Sequence, residues 1–468
     1  MDILLINSKV ITQHIFDKIP PIGLVSIGNI LEQHGFSVKI LDLDILHRNF
    51  HLYHAIKNLS PKIVGISGTS HSRFESFRIA KIAKQVSSSI HTVYGGCHAT
   101  FTAKDTLSRI PNIDYIVRGE GEITFLELAQ YLLCGDGNIE RINGISFRKE
   151  KTITCNPDRE RISNLDTLSF SRHLIDMARY QLKLDFLNLP AISILTSRGC
   201  PWNCSFCSAS AMFSYHCTTR SAKHIVNEIE YCQNTFLIKG VRFQDSTLTL
   251  NRSHIEALIQ EMKHREIRIP WACSIRVDAV DQKLLLEMRE AGCYYVSFAM
   301  ESASEKVLRL MDKKITKEQV VNVLRECRNA GLKTKVFFSF GHIGETWKDT
   351  EETFRFIDQY IHLINLPAIS LGILIYPGTY VEQYALKNNL LPEGFSWSTP
   401  ITRNDKNFVL WDNVPKLLQP LWSRRELKQC YYRIIFDELK SVRRIKRRLR
   451  EISSWQDVLK KATSLIAP

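Results

Sequence analysis

Short, almost wholly apolar runs separated by polar stretches dominate the first third of the chain. Ile3-Leu4-Leu5-Ile6 opens the series, and segments at 37–41, 63–67, 92–95 and 115–117 repeat it. Runs of this length mark strands buried on both faces. Helical periodicity begins between them near Leu24, Phe74 and Thr124, and Gly35 stands where a helix C-terminus favours glycine. This alternation predicts an α/β fold in which residues 1–145 form a doubly wound, Rossmann-like parallel sheet with helices on both faces. Residues 146–186 read as a linker. Alternation resumes over 187–386, with strands expected at 192–196, 241–244, 272–277, 295–299, 334–340 and 370–375, and helices such as 222–232, 282–291 and 318–330 between them. Six such pairs predict a partial (β/α)6 barrel, whose active site gathers at the carboxyl ends of the strands. Residues 387–468 form a C-terminal helical segment, with Leu427, Tyr431, Ile434, Ile435, Leu439, Val442, Ile445, Leu449 and Ile452 at helical spacing.

Composition changes this picture little. With 44% hydrophobic and 24% charged residues, the 468-residue chain is that of an ordinary globular protein with material for more than one core. The net charge of +14 owes much to Arg443-Arg444-Ile445-Lys446-Arg447-Arg448-Leu449-Arg450, the solvated face of the expected terminal helix, so nucleic acid is not an expected partner. No apolar stretch approaches the roughly 18 residues that span a membrane. The 12 cysteines are scattered, and the opening run is too short for a signal peptide, so free thiols and a cytoplasmic location are expected. Trp397, Trp411 and Trp422 lie in loop-like sequence that either caps the barrel mouth or packs on its outside.

Candidate chemistry is concentrated after the first barrel strand. Cys200, Cys204 and Cys207 crowd three thiols into eight residues of Gly199-Cys200-Pro201-Trp202-Asn203-Cys204-Ser205-Phe206-Cys207. Soft thiolates select zinc or iron–sulfur centres. A closed zinc site needs a fourth ligand, for which His216 and Cys217 are the nearby candidates; three thiolates alone suit a cluster with one open corner. Polar residues recur at the later strand ends: Asp245, Arg276, Asp278, Glu301 and Glu345. In the first domain, Ser67-Gly68-Thr69-Ser70-His71 and Gly95-Gly96-Cys97-His98 follow the third and fourth strands, where a doubly wound sheet has its ligand crevice.

The C-x-x-x-C-x-x-C pattern, with Phe206 before its last cysteine, resembles the radical S-adenosylmethionine (SAM) enzymes. The resemblance extends through Phe243-Gln244-Asp245-Ser246-Thr247, Ser274-Ile275-Arg276-Val277-Asp278, Phe298-Ala299-Met300-Glu301-Ser302, Gly341-His342-Ile343-Gly344-Glu345-Thr346 and Tyr376-Pro377-Gly378-Thr379. Their order and spacing are similar to those of the cobalamin-associated subgroup, which includes anaerobic magnesium-protoporphyrin cyclase and many methyltransferases. Ile343, Met300 and Ser246 depart from its usual residues. Pro20-Pro21-Ile22-Gly23-Leu24, the Gly95 loop and Arg118-Gly119-Glu120-Gly121-Glu122 resemble its N-terminal cobalamin-binding domain.

The resemblance implies a 4Fe–4S cluster on Cys200, Cys204 and Cys207, with Phe206 against the adenine of SAM. Asp245, Arg276, Glu301, Gly341 and Glu345 would serve SAM, and Ser67, Thr69, Gly95, Gly96, Gly119 and Glu120 would line a cobalamin site. The region from Asn7 to Ile15 lacks D-x-H-x-x-G, which fits members whose cobalt has no histidine ligand and fits equally a domain that has lost cobalamin. The implied activity is methylation of an unreactive carbon of a small-molecule, lipid or peptide intermediate, with electrons from a flavodoxin- or ferredoxin-type donor. Oxidative cyclisation or ring rearrangement with the same cofactors is the alternative, and a non-catalytic corrinoid- or nucleic-acid-binding protein stands outside the class. Methylthiolation fits less well, because Cys97, Cys134 and Cys155 are too widely spaced for a second three-cysteine cluster.

Overall fold

The computed structural model describes residues 1–9, 18–46, 50–150, 152–180, 182–401, 408–411, 413–417 and 421–439. The basic run at 443–450, the last apolar positions of the expected terminal helix and the loop containing His14 lie outside the described residues. The described residues pack into two compact units, one within residues 1–201, 208–271 and 394–400, the other within residues 202–207, 272–393 and 401–439.

The first unit is built on seven strands, β1 (Ile3–Asn7), β2 (Val38–Asp42), β3 (Ile63–Ser67), β4 (His91–Gly95), β5 (Tyr115–Val117), β6 (Ile145–Lys149) and β7 (Thr152–Cys155). Their order is β2-β1-β3-β4-β5-β6-β7, parallel through β5 and antiparallel from β5 to β7. Its helices are α1 (Ile22–Gln33), α2 (Leu52–Leu59), α3 (Arg73–Val86), α4 (Cys97–Arg109) and α5 (Glu122–Cys134). Successive side chains of a strand point to opposite faces. Accordingly Ile3 and Leu5 of β1 join Val25 of α1 and Phe125 of α5 in one core, while Leu4 and Ile6 join Ile56 of α2, Phe77 of α3 and Ala99 of α4 in another. The doubly wound sheet is therefore as expected, except that β6 and β7 extend it into the segment read as a linker.

The expected strand–helix pairs follow. Their strands are β8 (Ile192–Ile194), β11 (Val241–Phe243), β12 (Trp271–Ser274), β13 (Cys293–Glu301), β14 (Lys333–Phe340) and β15 (Leu366–Leu371), with the hairpin strands β9 (Ser197–Gly199) and β10 (Cys217–Thr219) after β8. Strand order is β15-β14-β13-β12-β11-β8, and the pairings β8–β11, β13–β14 and β14–β15 are parallel. Helices α6 (Ala209–Met212), α7 (Ala222–Phe236), α8 (Arg252–His264), α9 (Gln282–Glu290), α10 (Glu305–Leu310), α11 (Lys317–Asn329), α12 (Trp347–Tyr360) and α13 (Tyr380–Lys387) intervene or follow. The last barrel strand comes earlier than the expected 370–375. Gly372 turns the chain at φ +75°, and β16 (Ile373–Leu374) leaves to pair with β18 (Val414–Leu417), which also pairs with β17 (Phe408–Trp411). Helix α14 (Arg424–Leu439) closes the described chain.

Candidate functional site

In the first unit the cysteine loop is entered through the β9–β10 hairpin. Gly199 has φ +93°, and a Cβ there would stand 2.0 Å from the His216 carbonyl oxygen and 2.8 Å from Phe213 Cβ, so no side chain fits. Asp245, 4% exposed, accepts from Thr196 N (3.1 Å), Thr196 Oγ1 (2.8 Å) and Ser197 Oγ (2.5 Å). Burial raises its carboxyl pKa. The structure thus places Asp245 as a tether for the segment that delivers Cys200.

In the second unit, Cys207 N donates to the Cys204 carbonyl at 3.1 Å, putting both residues on one turn. Ser205 between them is held through both backbone groups: its N donates to Met311 O and its O accepts from Val381 N, each at 3.1 Å. Cys200, Cys204 and Cys207 are all partly exposed, and none is in a disulfide. Their donor chemistry fits a thiolate-held cluster. Among the described residues no three His, Cys, Asp or Glu side chains converge closely enough to hold an ion, these cysteines included. His216 is exposed with Nδ1 2.5 Å from Ser214 O, and the Cys217 thiol is raised in pKa by burial.

The second unit also contains a buried polar network. Arg276 donates bidentately to Asp278 (2.8 and 2.9 Å) and to Lys313 O (3.1 Å), with its guanidinium 3.9 Å from the Trp202 ring centre. Glu301 sits at a register shift of β13 with φ +69°, a conformation that only surrounding contacts sustain. Its carboxylate accepts from Ser339 Oγ and lies 3.6 Å from Lys313 Nζ. Lys313 is 8% exposed, and its ammonium stands 5.9 Å from the Phe206 ring centre. His342 packs 5.9 Å from Phe206 and shares a 2.7 Å hydrogen bond with Ser339. Burial pushes the His342 imidazole down to about 4, so it is neutral near pH 7. Glu345 is fully buried and binds Gly341 N (2.7 Å), His342 N (2.9 Å) and Thr350 Oγ1 (2.6 Å). Burial raises its carboxyl to about 7.

Phe206, Arg276 and Glu301 therefore meet around Lys313, whereas Gly341 and Glu345 form a self-contained turn that fixes His342. Lys313, Ser339 and His342 were missed from sequence. Met311-Asp312-Lys313-Lys314 has the look of a solvated charged turn, and only contacts to distant residues reveal that its first lysine is buried.

The crevice loops of the first unit are made close by glycine. Gly96 has φ +102°, and a Cβ on it would lie 2.7 Å from Gly68 O, which itself belongs to the loop after Ser67. Gly68 N donates to Gly95 O (3.3 Å), Thr69 N to Ser72 Oγ (3.0 Å), and Gly119 N to Thr100 Oγ1 (3.0 Å). These bare backbones and hydroxyls fit a cofactor tail that needs close approach. The Glu120 carboxylate binds Arg198 (2.7 Å) and Ile162 N (2.8 Å). His98 is fully buried, neutral through burial, 2.9 Å from Ser70 Oγ and edge-on to Trp397 at 5.6 Å, with its Nε2 unpartnered. Buried Arg73 donates to Trp397 O (2.8 Å), and Ser396 and Ser398 donate to Asp105. Trp397 thus packs on helices α3 and α4, and Trp422 meets Trp347 at 6.0 Å in the other unit.

Comparison with known proteins agrees with both halves of this description. Residues 194–357 match the radical SAM superfamily and residues 8–129 the B12 binding domain. An uncharacterized methyltransferase of Pyrococcus horikoshii is 34% identical over 85% of this chain and 83% of its own length. Anaerobic magnesium-protoporphyrin IX monomethyl ester cyclase of Rubrivivax gelatinosus is 28% identical over 72% of this chain and 61% of its own. The radical SAM methyltransferase TsrM of Kitasatospora setae, solved with cobalamin and a 4Fe–4S cluster, shares the fold with a TM-score of 0.68 at 22% identity, over 82% of this chain and 79% of its own. With the cysteine loop, the strand-end network and the doubly wound first domain in place, the chain belongs to the radical SAM enzymes that carry a B12 binding domain.

Proposed function

We propose that the protein is a cobalamin-dependent radical SAM methyltransferase that methylates an unreactive carbon of a small-molecule, lipid or peptide intermediate. The observation that carries this reading is the pairing of a three-thiol loop with a buried cation–carboxylate network in a chain that also matches a B12 binding domain. When bound, the cluster supplies an electron that cleaves SAM to a 5′-deoxyadenosyl radical, and cobalamin supplies the methyl group.

The chain's own residues bind and orient. Cys200, Cys204 and Cys207 hold the iron. Arg276 and Lys313 are cations for the carboxylate of a zwitterion, Glu301 is an acceptor for its ammonium or ribose hydroxyls, and Phe206 offers a face to adenine. His342, kept neutral, shares a hydrogen bond with Ser339, which also donates to Glu301, and so orients that carboxylate. Ser67, Thr69, Gly95, Gly96 and Gly119 receive the cobalamin tail; the Glu120 and Asp245 carboxylates also hold the Ile162 and Thr196 backbone. A flavodoxin- or ferredoxin-type protein delivers the electron. Among the described residues no helix is long and apolar enough to cross a membrane.

The similarity to a cyclase supports a second reading, oxidative cyclisation with the same cofactors. Anaerobic reconstitution with iron, sulfide and cobalamin, followed by mass spectrometry, separates the two. Deoxyadenosine together with S-adenosylhomocysteine is expected, whereas deoxyadenosine alone favours cyclisation. Cys204→Ala should abolish both products; undiminished deoxyadenosine from that variant refutes the cluster assignment.

A further inference from the structure

Arg198 lies on β9, two residues before Cys200, and its guanidinium is spread across two carboxylates of the first domain. Nη1 donates to Glu120 at 2.7 Å and Nη2 to Glu122 at 2.6 Å. Neither acid is left to Arg198 alone. Ser26 of α1 donates to the same Glu122 oxygen at 2.7 Å, and Ile162 N donates to the other oxygen of Glu120 at 2.8 Å. The side chains are 18%, 9% and 3% exposed for Arg198, Glu120 and Glu122. Burial alone raises a carboxyl, yet the Arg198 charge and the Ser26 hydrogen bond hold Glu122 below its ordinary value.

Exposed ion pairs contribute little, but a forked, desolvated arginine imposes one geometry on its acceptors. Of the acceptors, Glu120 lies within the Gly119–Gly121 loop and Glu122 opens α5, one wall of the expected cobalamin crevice. The donor opens the segment that carries the first cluster cysteine. Behind it, Arg198 pairs with Thr218 of β10, and Arg161 donates to Thr218 Oγ1 at 2.9 Å, so the hairpin is braced on its other strand as well.

We propose that Arg198 is a positioning residue that fastens the crevice loop at 119–122 to the strand that delivers Cys200. The inference rests on the functional reading above. It adds that the loop expected to take cobalamin and the segment that carries the first cluster cysteine are held together by one side chain.

The experiment is pulsed dipolar electron paramagnetic resonance of the full chain carrying a reduced cluster and cob(II)alamin, with iron and cobalamin content measured on the same samples. The double variant E122Q/R198Q removes the guanidinium and one of its two carboxylates and leaves Glu120 to its Ile162 N hydrogen bond; it should load both cofactors to wild-type stoichiometry while its distribution of cluster–cobalt distances broadens at least about twofold. E120Q keeps the Glu122 pair and should broaden it less, and R198K should recover part of the wild-type sharpness. Distributions identical to wild type in the fully loaded double variant overturn the clamp and leave the functional reading standing. Loss of either cofactor from that variant at an unchanged melting temperature also overturns it, by making Arg198 a cofactor contact. Wild-type protein that takes up neither iron nor cobalamin overturns the functional reading, and the clamp with it.

Discussion

The network around Lys313 and the loops around Gly96 are both ligand-ready, yet they are built by opposite means. Around Lys313, charged side chains are buried, paired and fixed: Arg276 on Asp278 and Trp202, Lys313 near Glu301, Glu301 and His342 on Ser339. Around Gly96 bare backbone is brought close to Gly68, with the Ser67 hydroxyl beside it. The difference follows from the ligands each region is proposed to take. A small zwitterion is recognised by charge and must be held still, so ionic groups and their desolvation are worth their cost. A long nucleotide tail is recognised by shape and needs room, so glycine is the useful residue.

The largest expected effect breaks the charged side. Lys313→Met leaves Glu301 buried without its cation, at a cost of about 3 kcal/mol in stability, and should weaken SAM binding at least about tenfold. Equilibrium binding of SAM to reconstituted protein checks this, and cobalamin uptake should be unaffected. Unchanged SAM affinity removes Lys313 from the site.

A pH experiment sharpens the same side. Because burial lowers His342 to about 4, the native state declines a proton that the unfolded state accepts near its ordinary value of about 6.5. Its neutral form therefore costs nothing above pH 6.5, and stability is lost progressively as pH falls from there to about 4, by about 3 kcal/mol in all. Denaturant melts of wild type and His342→Gln across that window should converge at low pH, since the variant lacks this loss. Parallel curves contradict the buried, neutral histidine.

The smaller effect tests the glycine side. Gly96→Val places a side chain at positive φ and against Gly68 O, at about 2 kcal/mol, or roughly 30-fold in cobalamin affinity. SAM cleavage by the loaded cluster should persist. A variant that loses both cofactors together would show that the two regions are not separable.

Much of this organisation was legible in the sequence, for identifiable reasons. Five parallel strands of the first domain announce themselves because burial on both faces demands apolar runs, and Cys200, Cys204 and Cys207 because their spacing is local. Strands β6 and β7 escaped because Arg148, Lys149 and Thr152 give an antiparallel edge the polarity of a linker. Helix α4 escaped because its Thr-rich sequence is a weak helix former, with Thr102 out of helical geometry. The protein partners of Glu120 and Asp245 were hidden for a different reason. A carboxylate at a strand end has the same sequence signature whether it meets a ligand or a neighbouring hydroxyl or guanidinium, and Arg198, Thr196 and Ser197 are partners that only folding supplies. Lys313 is the converse, a buried cation hidden in a charged turn.

The central claim is that three thiolates of this chain hold an iron–sulfur cluster with a vacant site for SAM. Mössbauer and electron paramagnetic resonance spectra of anaerobically reconstituted protein, before and after SAM, test it most directly. The account predicts one 4Fe–4S cluster per chain whose spectrum changes on SAM addition. A chain that remains iron-free, or whose cluster is indifferent to SAM, contradicts it.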